Sequence, residues 1–217
     1  VDRNTLLLAC GLDESELKIP ERRFPVNSYF RLFQLAADTT NDPDFGLRVG
    51  RVTYLKGLNL QLYLSTVCEC FRDYLNLIPS SLRLRGDIGQ MAAYRTDDQV
   101  GLRWEPLLPE IGRKRLICDE MLSASVGIFN SLCVMPVAVT KVSFTYSRPQ
   151  DITKLEETFG RNLSFEQPYS SLFFRRQALD FPIIKQDYQD GPAQKHRFRE
   201  LFEDNDPSDQ LLATLKQ

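Results

Sequence analysis

From about Gly112 to Leu132 the chain carries the pattern that most limits its fold. Ile117, Met121, Ala124, Ile128 and Leu132 recur at three- and four-residue spacing along one long helix. On both sides of it the period changes to two. Upstream, Leu82 and Leu84 alternate with Arg83 and Arg85, and after turn signals at Gly86-Asp87 and Thr96-Asp97-Asp98 the residues Val100, Leu102 and Trp104 alternate with Gly101, Arg103 and Glu105. Downstream, Val142, Phe144 and Tyr146 alternate with Lys141, Ser143 and Thr145. A long helix bracketed by alternating segments predicts an α+β protein, with an antiparallel sheet crossed by helices. Pro106 and Pro109 close a three-run meander that begins at Ser81.

The first eighty residues read as helical. Asn27 or Ser28 can cap a helix through Tyr29, Phe30, Phe33, Leu35, Ala36 and Ala37, which Asn41-Asp42-Pro43 ends while starting a second, shorter turn. Thr66-Val67-Cys68-Glu69 has the form of a capping box, and the helix behind it buries Val67, Phe71, Tyr74, Leu75 and Ile78 before Pro79 stops it. In the second half, Asp151 caps a short helix that Gly160 terminates. Leu163–Glu166 and Ser171–Arg176 then form a hairpin. The chain thus divides into a helical part, 1–80, a sheet with two helices, 81–185, and a polar linker with further helices, 186–217. In this last part Phe198, Leu201 and Phe202 leave an apolar stripe that calls for a partner, and a homodimer is expected.

Chemistry is conspicuous mainly by what it lacks. The single histidine, His196, lies in a charged segment near the end, so neither a histidine-based triad nor a multi-histidine metal site can be assembled. The five cysteines share no ligand spacing, and no Gly-rich phosphate loop or nucleophile elbow occurs. No catalytic residues, metal or cofactor are expected. A formal charge of −2 gives no global field for phosphate backbone, so DNA binding by this chain is not expected. With no secretory signal and no apolar run long enough to span a bilayer, the chain reads as a cytoplasmic protein without membrane contact.

What remains is a stripe of polar and small residues on the long helix: Glu120, Ser123, Gly127 and Ser131. Small side chains there can leave room for a ligand, with Glu120 bonding an amine or hydroxyl, or can let the helix pack closely on its neighbour. Arg103, Trp104, Tyr94 and Tyr146 on the sheet are the other pocket candidates. They would offer aromatic walls and one charge for a small organic ligand.

The order of motifs adds to this. Gly11-Leu12-Asp13, the basic and proline-punctuated run Lys18 to Pro25, and Asp42-Pro43-Asp44-Phe45-Gly46-Leu47-Arg48-Val49-Gly50 stand in one half, and "VSFTYSRP" with "LEETFGRNLSFEQPYSSLFFRRQALDFPI" in the other. Together, over residues 4 to 190, the series resembles the regulatory domain of one branch of the AraC-type bacterial transcription regulators. Tyr146 stands where many relatives carry histidine. The resemblance implies an effector-sensing, dimerising domain that binds a small molecule and controls DNA binding by a C-terminal pair of helix-turn-helix units, which would follow beyond this chain. It also implies no catalysis. The order of sheet and helices is similar to that of the haem-based nitric oxide sensors and is preferred to the cupin-like barrel of the arabinose regulator, although no proximal histidine is present for haem. Two other readings stay open: a small-molecule enzyme using carboxylate and arginine chemistry, and a ligand-free oligomerisation module.

Overall fold

The computed structural model describes residues 2–19, 22–56, 64–85, 88–96, 98–110 and 114–185. The helical part opens with α1 (Arg3–Ala9), capped by the Asp2 carboxylate on the Thr5 amide. Next come α2 (Val26–Thr40) and α3 (Phe45–Lys56). Asn41 ends α2 in the left-handed conformation, at φ 49°. Its start is not set by Asn27 or Ser28, because Pro25 occupies the capping position without a side-chain bond and its fixed φ already suits a helix start. Helix α3 is longer than the short turn expected after Pro43.

Helix α4 spans Phe71–Arg85 and corrects two expectations at once. The box at Thr66–Glu69 does not start it. Asp73 does, its carboxylate reaching back to accept from the Glu69 and Cys70 amides at 2.9 and 3.1 Å. Nor does Pro79 stop it, and the alternating Leu82 and Leu84 lie on helix rather than strand. Four residues of alternation are too few to outweigh a helix already anchored in the core by Phe71, Tyr74, Leu75 and Ile78. A division at residue 80 therefore falls inside α4.

The sheet holds β1 (Gly89–Arg95), β2 (Gln99–Pro106), β3 (Val139–Ser143), β4 (Leu163–Ser164) and β5 (Ser170–Arg175), in the order β1-β2-β5-β3-β4. Consecutive β4 and β5 are not a hairpin: β5 inserts between β2 and β3, antiparallel to both, and β4 pairs with β3 in parallel through the crossover helix α6 (Thr153–Phe159). Gly160 ends α6 at φ 85°, as its sequence position implies. Among the described residues this is an open five-stranded sheet and not a closed barrel. The α+β class is the one the chain adopts.

Helix α5 (Arg115–Leu132) covers the sheet. Val100, Leu102 and Trp104 on β2, with Leu172 and Phe174 beside them on β5, point to the helical side, where Phe174, Phe71 and Phe129 meet ring to ring at 5.0 to 6.3 Å. That face is the core. Residues 181–184 thread between two other segments: the Phe71 and Val134 amides donate to the Phe181 and Pro182 carbonyls, and the Ile183 and Ile184 amides donate to Glu69 and Leu132. This segment ties the start of α4 to the end of α5. No described helix is long and apolar enough to cross a membrane.

Candidate functional site

Helix α5 is buried on nearly every side between Ile117 and Ala124, because α3 packs on the side away from the sheet. The contact is possible only because Gly46 and Gly50 face it. A β-carbon at Gly46 would strike the Leu116 carbonyl, and one at Gly50 would strike Ser123 Oγ and the Glu120 carbonyl. Ser123 donates to the Leu47 carbonyl at 3.0 Å, fastening the two helices.

Charges are buried in the same seam. Arg115 bridges Asp44, in the turn just before α3, at 2.6 Å and Asp119 at 3.1 Å, while the Tyr146 hydroxyl donates to the other Asp119 oxygen at 2.5 Å. Asp119 is 1% exposed. Burial pushes its carboxyl up to about 6, and the Tyr146 hydrogen bond and the Arg115 charge hold the rise in check. Burial next to the same carboxylate drives the Tyr146 phenol well above its ordinary range. Glu120, also buried, accepts from Thr53 Oγ1 of α3 at 3.2 Å.

One helical turn further on, the same stripe opens. Ser123, Val126, Gly127, Asn130 and Ser131 of α5 form the floor of a cavity of about 770 Å³. Its walls are Asp44, Leu47, Arg48 and Arg51 from the α3 side and Lys154, Glu157 and Thr158 from α6. Each wall repeats at three- and four-residue spacing, so three helix faces converge on one trough. Its volume lies in the range of small-molecule sites, although its lining is more polar than most.

The six residues singled out in the sequence do not share one site. Ser123 lines the trough; Glu120 and Tyr146 belong to the buried seam. Trp104 is 2% exposed in the core, its indole nitrogen without a hydrogen-bond partner beside Gly89. Arg103 and Tyr94 lie on the opposite face of the sheet, where Arg103 pairs with Glu105 and stacks 4.7 Å from the Tyr169 ring, and Tyr94 meets Phe173 edge-on and bonds Ser171. Arg103 and Glu120 are therefore kept apart by the sheet and α5. The residues that sequence reasoning passed over are Arg48, Arg51, Asn130, Lys154 and Glu157. Their signal was a second, polar stripe running beside each apolar one.

Among the described residues no cluster of His, Cys, Asp or Glu is placed to hold a metal ion. Burial pushes the Cys68 and Cys133 thiols up to about 12, away from thiolate chemistry.

Residues 1–183 match the profile described as the arabinose-binding domain of AraC transcription regulator, N-terminal. Among solved structures, the transcriptional regulator CdpR from Pseudomonas aeruginosa has a TM-score of 0.58 at 18% identity, over 98% of this chain and 73% of that one. A structure solved to probe heme distortion in the H-NOX family has a TM-score of 0.44 at 13% identity, over 86% of this chain and 88% of that one. No curated protein matches the sequence.

Proposed function

We propose a function that starts from one fact: this chain belongs to the family of N-terminal arabinose-binding domains of AraC transcription regulators. In our reading it is the effector-sensing domain of such a regulator, without catalysis. A small organic molecule binds in the trough between α3, α5 and α6 and so controls DNA binding by a C-terminal helix-turn-helix part, in a homodimer. The trough itself is the observation that carries this reading. It is large enough for a metabolite, walled by polar groups from three helices, and floored by the small residues Ser123 and Gly127.

The path from trough to output is short. Asn130 and Ser131 line the trough, and the next residues, Leu132 to Val134, hold the thread 181–184 through two backbone hydrogen bonds. A molecule that draws α6 toward α5 shifts the end of α5, and the thread with it. The buried Glu120 does not reach this space as a ligand partner in our reading; it fastens α3 to α5 through Thr53.

A thermal-shift screen of metabolites tests the proposal. A ligand that binds only the folded state stabilises it by roughly 2.7 kcal/mol at a hundredfold excess over Kd. Hits should lose their shift in Gly127→Leu, which fills the trough, and should slow hydrogen exchange at the Val134, Ile183 and Ile184 amides. Hits that bind Gly127→Leu as well as the wild type would place the effector elsewhere.

A further inference from the structure

We propose that the molecule held in the trough is an anion whose carboxylate is bound by Arg51; this rests on the trough being the effector site. The walls carry three cations, Arg48, Arg51 and Lys154, against two anions, Asp44 and Glu157. Both anions are already engaged. Asp44 holds Arg115 at 2.6 Å, and Glu157 holds Lys154 at 2.7 Å. Arg48 turns to Asp42 at 2.8 Å, with 73% of its side chain exposed. Arg51, exposed like Arg48, is the one wall cation with no ion pair or hydrogen bond to a described residue, and it stands one turn beyond Leu47 on the wall.

The remaining lining complements such a ligand. Ser123 Oγ, at the closed edge of the trough, has its proton committed to the Leu47 carbonyl, so toward a ligand hydroxyl or amine it can act only as an acceptor. Leu47 and Val126 give a short apolar wall beside the glycine. A guanidinium with a planar donor fork, an acceptor on the floor and an apolar strip together fit a small hydroxylated or amino-substituted carboxylate. An uncharged sugar would leave Arg51 unanswered, and a cation would meet the excess of positive charge.

The test uses the whole chain and three probes, 3-hydroxybutyrate, 4-hydroxybenzoate and quinate, each against its uncharged amide, followed by amide chemical shifts at millimolar concentration. The carboxylates are expected to move the Gly127 and Ser131 resonances and to bind at least roughly tenfold more tightly than the amides. Arg51→Gln should remove that preference and Arg51→Lys should restore part of it, since a point charge replaces the fork. Equal binding of acid and amide, an unchanged preference in Arg51→Gln, or no binding by any carboxylate overturns the anion. In the first two cases the trough stands if Gly127→Leu still abolishes binding; binding that survives Gly127→Leu overturns the trough as well.

Discussion

The two halves of α5 carry one continuous stripe of small and polar residues, yet they meet α3 in opposite ways. From Leu116 to Ala124 the stripe is closed against Gly46 and Gly50, with Asp119 and Glu120 sealed in the seam; from Val126 to Ser131 it floors an open trough, with Ser123 at the boundary. The stripe is nearly the same in both. What differs is the partner, which presents glycines to the first half and long arginines to the second. A small residue brings helices together only where the opposite helix is small as well, and otherwise leaves space.

The strongest attempt to break this contrast is Gly50→Ala against Gly127→Ala. In the closed half the new methyl meets Ser123 Oγ and two backbone atoms, so we expect a loss of about 3 kcal/mol in urea unfolding. In the open half the same change should stabilise by up to about 1 kcal/mol, since alanine is the better helix former. Shifts of equal sign and size would erase the distinction between the halves.

Next in size is the pH dependence of the sealed seam. Asp119 has a folded pKa of about 6 against an ordinary 3.8, so the unfolded chain ionises first as pH rises. Its contribution is therefore greatest below about pH 4 and is lost as pH climbs through 6. The full swing is roughly 3 kcal/mol at 1.36 kcal/mol per pKa unit. The stability difference between wild type and Asp119→Asn, measured from pH 4 to 8, should show it. A flat difference would mean that Asp119 is ionised as easily as an exposed carboxylate.

Tyr146→Phe sharpens the same comparison on a smaller scale. Removing the hydroxyl that serves Asp119 should cost about 1 to 3 kcal/mol near pH 8, and less below pH 6, where the carboxyl is protonated. A cost independent of pH would assign Tyr146 a packing role alone. The smallest effect is chemical: Cys70 is the only half-buried cysteine, so a thiol reagent should label it first while Cys10, Cys68, Cys118 and Cys133 wait for unfolding.

Much of the fold was legible. The long helix, the β2 alternation, Gly160 and Asn41 all lie where periodicity and terminating residues put them, because these signals are local. The extension of α4 through Pro79 was not, since it depends on a core assembled from distant segments. Nor was the insertion of β5 between β2 and β3, because hydrogen-bonding edges carry no side-chain code for their partner. The candidate site was half visible. The stripe through Ser123 and Gly127 does line the trough, and the four-residue spacing of Gly46 and Gly50 was the clue to which part of it would close. One error was avoidable: Arg103 and Trp104 are neighbours on a strand and must point to opposite faces, so they could not share a pocket.

By itself, the sequence determined which residues share a face, how much apolar surface each element must bury, and that its single histidine, His196, cannot build a multi-histidine metal site. Periodicity is an intrinsic property of a segment, and the order of motifs sufficed for the family. Only the tertiary structure decided which face meets which: that Glu120 looks to α3 and Arg103 to the far side of the sheet, and that Arg51, Gly127 and Lys154, far apart in the chain, wall one cavity. The spacing of side chains within an element is fixed by backbone geometry, whereas the neighbour across a contact is chosen by the packing of the whole chain.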